Sequence, residues 1–191
     1  MSHGSSYDNT AGNTGRMGNW MQTQGSRAFW PLDPRPTDID IRDIAHALAM
    51  QCRYNGHCRV FYSVAEHSVL VSQVVPPEDA LHGLLHDAAE AYVGDIIRPL
   101  KRHITGYDEI EDRIWRAIAA RFGLSPEMPE SVKAADNAVL LAEQQQIMGP
   151  APLPWNVLGA AADVMIHGHV PEQARVRFLT QFCHLRGMPL I

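Results

Sequence analysis

Leu84-Leu85-His86-Asp87-Ala88-Ala89-Glu90-Ala91-Tyr92-Val93-Gly94-Asp95 is the stretch that decides how the chain is read. Four polar residues, His86, Asp87, Glu90 and Asp95, sit inside an otherwise apolar run. At helical pitch Glu90 falls one turn beyond both His86 (i+4) and Asp87 (i+3), so the three project to one side. Leu81, Leu84, Leu85, Ala88, Ala89, Tyr92 and Val93 cover the rest, which predicts a helix enclosed over most of its surface. Burying two carboxylates and an imidazole costs on the order of several kcal/mol unless a partner compensates. A bound cation is the simplest partner, and imidazole with carboxylate suits a divalent first-row metal. Taken alone, His86-Asp87 also fits a satisfied core pair with Glu90 in solvent; the rest of the chain decides between the two.

The 191 residues are 46% hydrophobic and 19% charged, which suits one compact domain with a sizeable core. A net charge of −5 gives no reason to expect binding to nucleic acid or to an anionic membrane. No run approaches the length of a transmembrane helix, and the N-terminus lacks a signal peptide's apolar segment. Cys52, Cys58 and Cys183 have no CxxC spacing, so reduced, mostly buried thiols in a cytoplasmic protein are the expectation.

Residues 1–18, rich in Ser, Gly, Asn and Thr, read as a disordered tail, and residues 19–191 as a single domain. Trp20-Met21-Gln22-Thr23 and Ala28-Phe29-Trp30-Pro31-Leu32 flank a Gly-containing turn, which predicts a hairpin laid across the domain. Beyond it the period is helical. Ile39, Ile41, Ile44, Ala45, Leu48 and Ala49 mark an amphipathic stretch ending near Asn55-Gly56. Ser63-Val64-Ala65-Glu66 has the form of a capping box and opens a helix through Val75. Pro77 starts the helix that carries the central stretch and Gly94 closes it. Further helices are expected over 107–122, 130–148 and 171–186, with a short one over 158–166. The fold class is all-α with a small N-terminal hairpin.

Two other positions join the central stretch. His67 lies one turn into the helix opened by Ser63, and Asp136 stands amid alanines in Lys133-Ala134-Ala135-Asp136-Asn137-Ala138. His67, His86, Asp87 and Asp136 thus occupy three predicted helices of a chain that can bundle them. Two imidazoles and two carboxylates make a site with room for one or two waters.

With these residues in view the chain resembles the HD-domain metal-dependent phosphohydrolases, whose signature is H…HD…D on a helical bundle. Ser63-Val64-Ala65-Glu66-His67-Ser68, Leu85-His86-Asp87-Ala88-Ala89-Glu90, Gly94-Asp95-Ile96, Pro99-Leu100-Lys101 and Lys133-Ala134-Ala135-Asp136 resemble the bacterial 5′-deoxynucleotidase branch, over roughly residues 40–150. The hairpin and Trp30-Pro31-Leu32-Asp33-Pro34 are more similar to phage and prophage HD hydrolases, among them phage dATP triphosphohydrolases.

The resemblance implies an HD-type bundle with His67, His86, Asp87 and Asp136 as metal ligands. It implies Glu90 and Asp95 as acid/base and water-orienting carboxylates. Arg53 stands about where the deoxynucleotidases bind phosphate, with local spacing off by one residue, so Arg59 competes for that role and Lys101 is a further candidate. The implied cofactor is one divalent metal ion (Mn, Co, Zn, Ni, Fe or Mg). The implied substrate is a nucleotide, either a deoxynucleoside monophosphate cleaved to nucleoside and phosphate or a triphosphate cleaved to nucleoside and triphosphate. Apart from the resemblance, Trp20, Gln22 and Trp30 on the hairpin offer flat apolar faces and an amide to a base, the alternative being that the tryptophans simply tack the hairpin to the core. The alternative is a non-catalytic nucleotide-binding or signalling module on the same scaffold. The residues leave the oligomeric state open, a homo-oligomer included.

Overall fold

The structure is a computed structural model describing residues 15–190. Most of the tail expected over 1–18 lies outside the described residues. Arg16, near its end, pairs with Asp33 and Asp38 and lies over the Trp30 ring.

The fold is mostly helical with one small antiparallel hairpin. Strands β1 (Met21–Gln22) and β2 (Ala28–Phe29) pair with Met21 opposite Phe29. The hairpin rests on the body, as its aromatic content requires. Phe29 is fully buried and stacks on Tyr92 with ring centroids 3.8 Å apart. The Gly25 amide donates to Asp43 at 2.6 Å and Arg27 pairs with Asp40.

Helix α1 (Ile41–Met50) is capped by Asp40, whose carboxylate accepts from the Arg42 amide. A 3-10 turn, Arg53–Gly56, follows, with Tyr54 and Asn55 both at positive φ. Helix α2 (Val64–Val74) starts at Ser63, whose Oγ accepts from the Glu66 amide at 3.1 Å. The reciprocal half of the expected capping box is not formed. The Glu66 carboxylate accepts instead from the amides of His167, Gly168 and His169 and so fastens a distant loop to α2. Helix α2 is buried from Val64 to Ser72 and forms the centre of the bundle.

The single helix expected from Pro77 to Gly94 is divided. A 3-10 turn at Pro77–Asp79 leads into α3 (Ala80–Leu85), residues 86–89 form tight turns, and α4 (Glu90–Val93) follows. The turns are closed by i→i−3 bonds, Ala88 N to Leu85 O at 2.9 Å and Glu90 N to Asp87 O at 3.0 Å. Helix α3 approaches α2 closely at Gly83, where a Cβ would come within 3.1 Å of the Ser72 Cα. Gly94, with φ 84°, ends α4 and turns the chain towards Asp95.

A short α5 (Arg98–Lys101) was not expected from the sequence. Helices α6 (Tyr107–Phe122), α7 (Glu130–Ile147) and α8 (Pro171–Arg186) fall where the period placed them, and Gly123 and Gly187 end α6 and α8 in the left-handed conformation. The helix expected over 158–166 is absent. That segment is extended against α7, with Ala162 N bonded to Ala138 O and the Gln146 side chain joined to Val164 and Ile166. Helix α8 packs on α1 and α2, so the chain's end closes the core. Among the described residues no helix is long and apolar enough to cross a membrane.

Candidate metal centre

Three elements converge beside α2. His67 projects from its first turn, fully buried; His86 and Asp87 come from the turns between α3 and α4; Asp136 comes from the second turn of α7. One ligand atom from each of His67, His86 and Asp87 lies within 4.8 Å of the others. Asp87 Oδ2 is 3.2 Å from His86 Nε2 and 3.6 Å from His67 Nε2. Asp136 Oδ1 lies 3.3 Å from His67 Nε2, on the edge of the same cluster.

Hydrogen bonds fix which nitrogens face inward. His86 Nδ1 lies 2.8 Å from the Gly83 carbonyl, which can only accept, so Nδ1 carries the proton and Nε2 offers its lone pair. His67 Nδ1 is 2.6 Å from Glu143 Oε1. Both Nε2 atoms are buried, and neither has a hydrogen-bond partner among the described residues. Two buried, unsatisfied imidazole nitrogens converging on one carboxylate oxygen are costly without a ligand, and a divalent cation satisfies all three at once. The donor set therefore fits a metal ion, and the imidazole–carboxylate pairing of His67 with Glu143 is the usual support for such a ligand.

The electrostatics agree. Burial and Arg53 both disfavour the His67 imidazolium, yet Glu143 and Asp136 outweigh them and hold its pKa up at about 9. Burial opposes ionisation of Asp87, but His86, His67 and Arg53 keep it well below the usual carboxylate range. Glu143 is fully buried and Asp136 partly so, and each is still lowered to about 2, Asp136 by His67 and Glu143 by Arg53 and His67. These carboxylates favour positive charge at the cluster, whether a proton on His67 or a bound cation.

Glu90 behaves differently. Burial, Asp87 and Asp95 together push its pKa well above the normal range, and its Oε2 is buried without a hydrogen-bond partner among the described residues. The turn between Asp87 and Glu90 is closed by the bond from the Glu90 amide to the Asp87 carbonyl. Asp95 is raised as well, by burial and the Asp87 charge, against the pull of Arg53. Gln51 joins the two acids, donating to the Glu90 carbonyl at 3.0 Å and accepting from the Asp95 amide at 2.9 Å.

The candidate substrate-binding residues separate. Arg53 is buried in the cluster, 3.5 Å from Asp87 Oδ2 and 3.4 Å from Glu143 Oε2. Arg59 is exposed, and its backbone bonds to Ile147 at the end of α7. Lys101 pairs with Glu111 at 2.6 Å and lies over the Tyr107 ring. Trp20 is half-buried and Gln22 exposed on the hairpin. Sequence reasoning passed over Glu143, Gln51 and Tyr54, whose hydroxyl donates to Glu143. Glu143 had a legible signal, because it lies seven residues, or two turns, beyond Asp136 on one face of α7.

No protein-family model matches the chain. It is 42% identical over 128 residues to the uncharacterized protein YfdR of Escherichia coli (strain K12), across 67% of this chain and 72% of that protein. It is 41% identical over 144 residues to the uncharacterized protein RCAP_rcc00048 of Rhodobacter capsulatus, across 68% of this chain and 74% of that protein. At that identity and coverage, the chain belongs to the family of YfdR and RCAP_rcc00048.

Proposed function

We propose that the chain is an HD-type, divalent-metal-dependent phosphohydrolase that cleaves the 5′-phosphate ester of (deoxy)nucleotides. The observation that carries this reading is the pair of buried, unpartnered Nε2 atoms of His67 and His86 beside Asp87, with their Nδ1 atoms tied to Glu143 and Gly83. His67, His86 and Asp87 would hold the ion, with Asp136 as a fourth ligand. When bound, a divalent ion supplies Lewis-acid polarisation of a phosphoryl oxygen and a more acidic water.

The chain's own groups divide the remaining work. Glu90, whose affinity for a proton is raised by burial and by the Asp87 charge, is suited to pass a proton to the departing 5′-oxygen. Such a group typically contributes ~10²–10⁴-fold. Asp95, held beside Glu90 by Gln51, raises that pKa further and orients water. Arg53 balances the charge of Asp87 and Glu143 and keeps both carboxylates ionised. A structural metal alone has no use for two further acids with raised pKa values.

The test is a panel of nucleoside monophosphates, deoxynucleoside monophosphates and deoxynucleoside triphosphates with Mn²⁺, Co²⁺, Zn²⁺ and Mg²⁺, resolving phosphate from triphosphate. Metal-dependent release of either product, abolished by chelation, is expected. Nucleotide binding without turnover under every metal would make the chain a non-catalytic module instead.

A further inference from the structure

A phosphate approaching this cluster meets the charge of Asp87, Glu90, Asp95 and Asp136, so it needs a solvent-facing cation with spare donors at the cluster's edge. Arg53 is a poor choice. It is buried, its two terminal nitrogens already face Asp87 and Glu143, and its charge is consumed in holding them ionised. Arg59 lies at the far end of α7, and Lys101 is committed to Glu111.

Arg98, on α5, meets the requirement. Its Nη2 donates to Asp136 Oδ2, and its Nη1 donates to Asn137 Oδ1 at 3.2 Å. The other oxygen of Asp136, Oδ1, faces His67 Nε2, so the guanidinium stands one carboxylate's width from the cluster. Its side chain is 56% exposed while that of Asp136 is 17% exposed, which places Arg98 on the solvent side of the ligand set. A guanidinium has five N–H donors in a fixed plane, and the two bonds seen here leave others for an anion. The connection to the site is short: Gly94 ends α4, Asp95 faces the cluster, and Arg98 follows three residues later. Tyr107 steadies this connection by donating to the Gly94 carbonyl at 3.0 Å.

We infer that Arg98, anchored by Asp136 and Asn137, is the side chain that takes the substrate's phosphate at the mouth of the metal centre. This rests on the phosphohydrolase reading above and names a group that the family resemblance did not supply. Arg98 contacts a ligand's outer oxygen only, so its role in anion binding is separable from metal binding.

The experiment measures binding of inorganic phosphate and inorganic triphosphate to Mn²⁺-loaded protein by calorimetry, with metal content determined in parallel. These anions are the products under either substrate reading, so the base plays no part. Arg98→Ala should retain one equivalent of metal and bind the anion ~10–100-fold more weakly, as expected for loss of charge-assisted bonds. Arg98→Lys should fall between, keeping the charge but not the planar fork. Arg59→Ala should match the wild type. Wild-type anion affinity in Arg98→Ala overturns the assignment alone, and loss of metal from that variant makes Arg98 a support for Asp136 instead. A metal-loaded wild type that binds neither anion overturns the phosphohydrolase reading and the assignment with it.

Discussion

His67 can present a lone pair to a cation only while its other nitrogen carries the proton, and Glu143 enforces that arrangement from full burial. The same carboxylate receives the Tyr54 hydroxyl and faces Arg53, so a single residue of α7 organises three groups around the cluster. The backbone conformation points the same way. Tyr54, with φ 57°, adopts a conformation that costs a non-glycine residue on the order of 1–3 kcal/mol, and the turn that holds it delivers both Arg53 and Tyr54 to Glu143. Glu143→Gln preserves shape and an acceptor but removes the charge. Metal affinity should fall ~10–100-fold, and calorimetric titration with Mn²⁺ checks it. Unchanged affinity would remove Glu143 from the support of His67. Glu90→Gln should do the reverse, keeping the metal while turnover falls ~10²–10⁴-fold in steady-state assays.

Helix ends set the position of the candidate ligands, and two of them give measurable expectations. Ser63 caps α2 one turn before His67, so Ser63→Ala should cost about 1 kcal/mol by chemical denaturation and loosen the turn that carries that ligand. Asp40 caps α1, and its pKa is lowered to about 2, first by the Arg42 side chain, then by the Arg42 amide and the charge of Arg27, against burial. A carboxyl with a lower pKa in the folded state stabilises above its unfolded value and loses that contribution as pH falls through the folded one. The stability difference between wild type and Asp40→Asn should therefore be full above pH 4 and shrink towards about 2. A difference constant across that range would detach Asp40 from the acid response.

Helix ends also mark what could be read in advance. The bounds of α6 and α8 were legible because glycine follows each in a left-handed cap and apolar residues recur at helical spacing. Residues 158–166 were misread as helix because their backbone partners are on α7, a tertiary fact with no local trace. Glu66 looked like half of a capping box for the same reason: its true partners are a hundred residues away. The break between α3 and α4 was hidden because the apolar residues of 84–93 suit both a continuous helix and two short ones joined by tight turns. The cluster itself was legible because four polar residues on buried faces stand out from their neighbours.

At the scale of the molecule, the bundle brings α2, the turns after α3, and α7 to one point, while the hairpin and α8 close the opposite core. Phe29 is the hairpin's anchor, stacked on Tyr92 two residues after Glu90. Phe29→Ala should cost about 3–5 kcal/mol in thermal or chemical unfolding, the usual range for emptying such a site. Trp20→Ala and Gln22→Ala test whether the hairpin also chooses the base. If it does, KM or base ranking changes while metal content and stability hold; an equal effect on every base makes the hairpin a clasp. All of this depends on a metal centre at His67, His86 and Asp87. The most direct measurement is equilibrium dialysis against Mn²⁺ followed by elemental analysis of wild type, His86→Ala and Asp136→Ala. The expected result is one equivalent in the wild type and a loss of occupancy in both variants. A metal-free wild type, or full occupancy in His86→Ala, would contradict the centre.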